Sequence, residues 1–290
     1  MPPSTTAPST FCVMPTEVRP DYVLGTHSAE ADRLALQNSL WIDEARSAWT
    51  RCGLGIGSRV VDVGCGPGLA TEALLEIVGA TGRVAGIELS GRFAQQARDR
   101  CSSGGRTDCE ILQCDLMTDA MPAHFTNAFD VAWIRWLAMF VKSPETLIER
   151  VRDLLAPQGT VAFHEYFHYE TYSLLEGGPR IREFVQFAKA SFAKDGGDAN
   201  IARRLPRILE QHGFEVMSMR PIARAARPHD ALWQWPTGFI RTYSPTLVQL
   251  GFADSAWLEA IELELRTAEA CKSSVLVAPS LLEIIARKCG

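Results

Sequence analysis

The chain has 290 residues, 47% of them hydrophobic, enough for one large α/β domain or one domain with sizeable insertions. Its formal charge of −5 argues against a polyanionic partner such as DNA or RNA. Eight cysteines without a C-x-x-C pair read as reduced thiols, no run of 18 apolar residues predicts a membrane span, and the first ten residues lack the apolar centre of a signal peptide, so the expected location is the cytoplasm.

Residues 1–20 are expected to be a mobile tail. Ser28, with Glu30 and Asp32 behind it, is a helix-start signal, because acids meet the positive end of the helix dipole. The apolar spacing then predicts helix over 28–52, ending in the glycines at 53–57. Short apolar runs follow at 59–63, 83–88, 110–114, 129–134 and 159–165, alternating with helical patterns at 67–78, 91–101 and 144–155. Such alternation predicts βαβ units and a parallel sheet with right-handed crossovers. Beyond 165 the pattern loosens. Helix is predicted over 179–194 and 200–212, strand over 214–222, and mostly helix over 229–271. Ser274–Pro279 and the apolar run after it are expected to supply a last strand, and Asp195–Asp198 a hinge or a plain surface turn.

Glycines at 64, 66 and 68 lie between the first strand and its helix. They let the backbone approach a ligand closely. Leu69 stands where the dinucleotide pattern G-x-G-x-x-G needs its third glycine, which disfavours an NAD(P) site. Asp62 precedes the loop, placed to orient it or to meet an ammonium group. Glu88 ends the second strand, where a carboxylate accepts hydrogen bonds from ribose hydroxyls. Asp115 follows the third strand, placed for an adenine amino group, with Leu116 to cover the ring. A helix cap is the plainer role for Asp115.

The stretches Val60–Gly68, Gly86–Ser90, Gln113–Asp115 and Phe129–Arg135 occur in the order of the motifs of class I S-adenosylmethionine (SAM)-dependent methyltransferases, which this chain resembles over residues 20–220. Within them it looks most like the small-molecule branch of ubiquinone, menaquinone and natural-product enzymes. The resemblance implies a Rossmann-like, seven-stranded, mostly parallel sheet with helices on both faces. It implies an N-terminal cofactor-covering segment at 21–56, a cofactor-binding core at 57–165, and a remainder at 166–290 with helical lid insertions. The implied cofactor is SAM, held by Asp62, Gly64, Gly66, Gly68, Glu88, Leu89, Asp115 and Leu116, with Arg135 beside the sulfonium. Tyr22, Arg33 and Gln37 are the expected contacts of the covering segment. The partner is expected to be a small hydrophobic or aromatic methyl acceptor, touched by Trp136, Phe140, Tyr169 and Trp235, and the resemblance is compatible with a homodimer. A SAM-binding protein that transfers no methyl group is the alternative. The Asn/Asp-Pro-Pro-aromatic motif of nucleic-acid amino-methylating members is replaced here by Trp133–Trp136.

His164, Glu165 and His168 spell H-E-x-x-H, the zinc-protease motif. Zinc binding needs that motif on a helix, where residues four apart share a face. Here it continues an apolar run, so strand is predicted, and residues four apart on a strand stand roughly 13 Å from each other. No metal is therefore expected. At the carboxyl edge of the fifth strand these three residues are instead the expected candidates for a general base.

Overall fold

The protein is described here by a computed structural model covering residues 28–103 and 108–290, with the side chains of Ser28 and Ala29 left aside. Tyr22 lies outside the described residues. The chain enters on α1 (Ser28–Arg51) and then winds β1 (Arg59–Val63), α2 (Leu69–Val78), β2 (Arg83–Glu88), α3 (Gly91–Ser103), β3 (Cys109–Gln113) and β4 (Phe129–Arg135). It continues through α4 (Pro144–Leu154), β5 (Leu155–His168), β6 (Ser173–Leu174), α5 (Pro179–Lys194), α6 (Leu205–Gln211) and β7 (Phe214–Ile222). The last elements are β8 (Ala225–Ala226), α7 (Ala231–Gln249), α8 (Ser255–Ala270), β9 (Leu276–Val277) and β10 (Ser280–Lys288).

Seven strands form one sheet in the order β3-β2-β1-β4-β5-β10-β7. The strands β1 to β5 pair in parallel, and β10 is antiparallel to both its neighbours. This is the Rossmann-like architecture, with order reversing between β1 and β4. Val60, Val61 and Val63 of β1 are all sealed from water, as a central strand covered on both faces requires. The period-two pattern sorts side chains into two cores. Val60, Val84, Trp133, Ala162 and Ile285 pack with Trp49 of α1 and Leu74 of α2. Val61, Ala132, Ile134, Phe163 and Ile284 pack with α4, α5 and α7 on the other face. A separate three-stranded ribbon, β6-β9-β8, joins the segments after β5 and β7 to the one before β10.

Local chemistry sets the helix ends. Ser143 caps α4, its Oγ accepting from Thr146 N at 3.2 Å, with Pro144 at the first helical position. Asp254 caps α8 by accepting from Trp257 N at 2.8 Å. The predicted elements differ from the observed ones mainly at their ends. Helix over 67–78 starts at Leu69, because Pro67 and Gly68 belong to the loop. Strand over 159–165 extends to Leu155–His168, although Pro157–Gly159 turns the chain and the pairing with β4 shifts across it. Gln158 takes a φ of +65° there. The helical stretch 229–271 is two helices, parted at Gly251. The last strand lies in Ser280–Lys288, and Ser274–Pro279 supplies only β9.

The antiparallel strand β10 carries a buried charge. Glu283 is 1% exposed and accepts from His164 Nε2 at 3.0 Å, Arg51 Nη2 at 2.5 Å and Arg220 Nη2 at 3.1 Å. These partners hold its carboxyl down to about 2, against a burial that pushes it up. Replacing Glu283 by Ala leaves the sealed His164 without its acceptor and Arg51 without its carboxylate, while Arg220 keeps Glu44, and is expected to cost about 3 kcal/mol in urea unfolding at pH 7. Because the folded-state pKa is depressed, that difference is present above the ordinary carboxylate range and shrinks as pH falls towards 2.

Candidate functional site

The loop from β1 to α2 is gripped by the end of β2. Gly64 N and Cys65 N both donate to Ile87 O, at 2.8 and 3.1 Å, and Gly66 N donates to Glu88 Oε2 at 2.8 Å. All three loop glycines have positive φ: 73° at Gly64, 55° at Gly66 and 82° at Gly68. Gly68 also has no room for a side chain, because a Cβ there would stand 2.8 Å from Ala97 Cα of α3, and one on Gly64 would make a tight contact, 3.1 Å from the Leu137 side chain. Gly66 is different: an added Cβ meets no atom within 4 Å. It borders open space at the carboxyl edge of the parallel strands, where open α/β sheets bind ligands.

Three carboxylates lie along that edge. Asp62 is buried and accepts from Thr71 Oγ1 at 2.7 Å, and burial pushes it up to about 6. Glu88 is buried too. Its second oxygen accepts from Ser90 N at 2.8 Å, and burial raises its pKa although the backbone N–H groups of Ser90 and Gly66 pull the other way. Each carboxylate oxygen of Glu88 keeps another lone pair for a ligand. Asp115 accepts from Met117 N at 2.9 Å, which is the turn-capping role open to an Asp at this position. Leu89 is 36% exposed, whereas Leu116 is packed into the core.

Beyond β4 the chain turns sharply. Trp136 has a φ of +52°, an uncommon conformation for so bulky a side chain. Three bonds hold it: Trp136 N donates to His164 O at 3.1 Å, and Leu137 N and Ala138 N both donate to Glu165 Oε1, at 2.7 and 2.8 Å. Glu165 is fully buried, and burial pushes it up to about 7 while those N–H groups draw it down. Arg135, at the same turn, donates to Asn38 Oδ1 at 2.7 Å and lies 5.1 Å from the centre of the Trp136 ring. Its Nη1 is buried without a partner among the described residues. Burial lowers its pKa to about 10, so it stays charged at neutral pH.

This turn forms one wall of a partly open cavity. Trp136, Met139 and Phe140 meet Tyr166 of β5 and Tyr169 and Tyr172 of the segment after it. Phe192 of α5, Trp235, Pro236 and Phe239 of α7, Pro279, and Arg33 and Gln37 of α1 complete it. Ring centres of Trp136 and Trp235 lie 5.7 Å apart, and those of Tyr166 and Tyr169 lie 5.1 Å apart. Tyr172 Oη donates to Pro236 O, tying the two sides together. All four residues expected at the acceptor, Trp136, Phe140, Tyr169 and Trp235, are brought to this one cavity. Met139, Phe192 and Pro279 were not legible as part of it. Asp195–Asp198 does not stand free as a hinge would, because Gly197 N donates to Phe192 O and Asp198 N to Met139 O, both at 2.9 Å.

Arg33 and Gln37, the expected cofactor contacts of the covering segment, line the aromatic cavity. None of His164, Glu165 and His168 lines the cavity, so none presents a base there. His164 and Glu165 are both 0% exposed and point to opposite faces of β5, His164 to Glu283 and Glu165 to the loop amides. His168 is half exposed, 4.0 Å from Glu170. Because β5 is a strand, the H-E-x-x-H pattern builds no metal site, and among the described residues no group of three or more His, Cys, Asp or Glu is placed to hold a metal.

Residues 61–163 match the family model of the methyltransferase domain. Over 107 residues the chain is 29% identical to aklanonic acid methyltransferase DauC of Streptomyces sp. (strain C5), an alignment covering 37% of this chain and 47% of that protein. The chain thus spans about half the length of that relative. The crystal structure of geranyl diphosphate C-methyltransferase from Streptomyces coelicolor A3(2) superposes with a TM-score of 0.55 at 18% identity, covering 91% of this chain and 83% of that one. The [4+2]-cyclase SpnF superposes with a TM-score of 0.53 at 20% identity, covering 84% and 79%. At such identities the two structures show a shared fold.

The Glu165 clamp has a pH signature. A carboxyl whose folded pKa is raised to about 7 favours the folded state below the ordinary carboxylate range and loses that contribution as pH rises through 7. Glu165→Gln keeps one acceptor oxygen for Leu137 N and Ala138 N. Its stability relative to the parent chain is expected to rise between pH 5 and pH 8 in paired urea titrations; a difference that stays flat with pH contradicts the clamp's ionisation.

Proposed function

We propose, from the premise that residues 61–163 form a class I methyltransferase domain whose cofactor is S-adenosylmethionine, that this chain transfers a methyl group to a small, largely aromatic acceptor held in the cavity between α1, α5 and α7. The observation that carries the reading is the open space over Gly66, beside the Glu88 carboxylate and at the carboxyl ends of β1 and β2. The bound cofactor would supply a methyl group on a sulfonium, whose carbon an acceptor could bond in line as the C–S bond breaks and the neutral thioether leaves.

The protein's own residues do the rest. Gly66 leaves room for the ligand, and the free lone pairs of Glu88 take the two ribose hydroxyls. Asp115 takes the adenine amino group with its remaining oxygen. Asp62, fixed by Thr71, meets the ammonium group, and the unspent Nη1 of Arg135 suits the carboxylate of the methionine end. The aromatic wall aligns the acceptor and keeps water out, which is the main task when the leaving thioether is neutral. The cavity residues include no histidine and no carboxylate. We therefore read the acceptor as a group that arrives already nucleophilic, and Glu165 as a residue that positions Trp136 through the backbone.

Calorimetry with S-adenosylhomocysteine tests the cofactor site. A Cβ at Gly66 meets no atom within 4 Å, so Gly66→Arg aims its side chain into the cleft; its left-handed backbone costs roughly 1–2 kcal/mol, which the fold is expected to survive, while binding falls at least a hundredfold. Unchanged affinity in a folded Gly66→Arg chain removes the site. Glu88→Ala is expected to weaken S-adenosylhomocysteine and leave acceptor affinity unchanged. Labelled SAM offered with a panel of phenols, quinones and amines then tests transfer: binding without a methylated product would leave a SAM-binding protein that transfers no methyl group.

A further inference from the structure

The aromatic cavity has one polar wall, and its polarity is set by neighbours. Gln37 on α1 receives two hydrogen bonds on the same atom: Arg33 Nη1 donates to Oε1 at 3.0 Å and Trp235 Nε1 donates to it at 2.8 Å. Both partners are obligate donors, so the amide cannot be flipped without breaking both bonds. Arg33 is itself held, its Nε and Nη2 each donating to the Glu30 carboxylate at 2.7 Å. Glu30, Arg33 and Gln37 are all nearly sealed, with side-chain exposures of 3% and 9% for the first two. The acid and the base thus neutralise each other behind the wall. What Gln37 has left is its Nε2, which makes no hydrogen bond among the described residues and is not among the atoms sealed from all space.

We propose that Gln37 is the specificity-determining residue of this cavity, presenting an amide N–H donor of fixed direction that selects a hydrogen-bond-accepting oxygen on an otherwise aromatic ligand. An aromatic hydrocarbon gains the same wall contacts but leaves Nε2 desolvated without a partner, which costs binding. A carbonyl, phenolate or enolate oxygen satisfies it. Tyr169 also lines the cavity, and burial raises its pKa, so it adds no charge there. The inference rests on the cavity being the acceptor site, yet its test does not need the methyl transfer.

Equilibrium dialysis at pH 8 with 1-indanone and with indane, the same ring skeleton with and without a carbonyl oxygen, tests it on the full chain. The expected result is a roughly fivefold to tenfold preference for 1-indanone. Gln37→Glu keeps an oxygen for Arg33 Nη1 and Trp235 Nε1 but turns a second oxygen to the cavity, so the preference is expected to vanish or invert. Trp235→Phe removes one of the two donors that fix the amide and is expected to shrink the ratio while altering the cavity equally for both probes. If Gln37→Glu does not fold, this second variant decides. Failure of 1-indanone to bind, equal affinity for both probes, or an unchanged ratio in the folded variants overturns the proposal. S-adenosylhomocysteine titration of the same samples separates this from failure of the cofactor site, since neither variant touches Gly66 or Glu88.

Discussion

The glycine loop is held by the end of the neighbouring strand, and the site depends on that grip. Three successive loop amides, from Gly64 to Gly66, donate to Ile87 O and the Glu88 carboxylate. Such bonds require β1 and β2 to run in parallel and in register, with Asp62 opposite Gly86 and Val63 opposite Ile87. They also favour glycine at 64, 66 and 68, because each takes a positive φ and α3 lies against Gly68. The same carboxylate that braces the loop keeps unspent lone pairs towards the cleft. Bracing and binding are therefore parts of one arrangement, and its buried charge is tolerated because backbone N–H groups meet it.

A second grip forms across the sheet. Glu165 gathers the amides of Leu137 and Ala138 and holds Trp136 in a backbone conformation its bulk disfavours. That conformation puts the Trp136 ring into the cavity beside Trp235. The helix α1 reaches the same place from the other side, with Trp41 in edge contact with both rings. The aromatic wall is thus assembled from segments almost 200 positions apart in the chain. Its polar edge, Gln37, takes its orientation from α7.

Much of the scaffold could be read from local pattern. The strands β1, β2 and β7 occupy the predicted residues, and the others shift at their ends, because short apolar runs between turn residues leave little choice. The glycine loop and the carboxylates after β1, β2 and β3 were legible for the same reason: they sit at strand ends that the alternation itself locates. His164, Glu165 and His168 show where local reading fails. Their position at a strand end was foreseen, but the direction of each side chain follows from which face β10 and the loop after β4 cover. Glu283, which claims His164, lies 119 positions later.

The amino-acid sequence by itself determined the alternating α/β frame, the glycine loop and the acidic residues along its edge, since each follows from periodicity or backbone freedom within a few residues. Only the tertiary structure decided that Arg33 and Gln37 belong to the aromatic cavity, that Glu165 binds backbone amides, and that His164 is sealed away. Those outcomes depend on which distant hydrogen-bonding partner reaches each buried polar group, and a buried polar group must find one wherever the fold brings it.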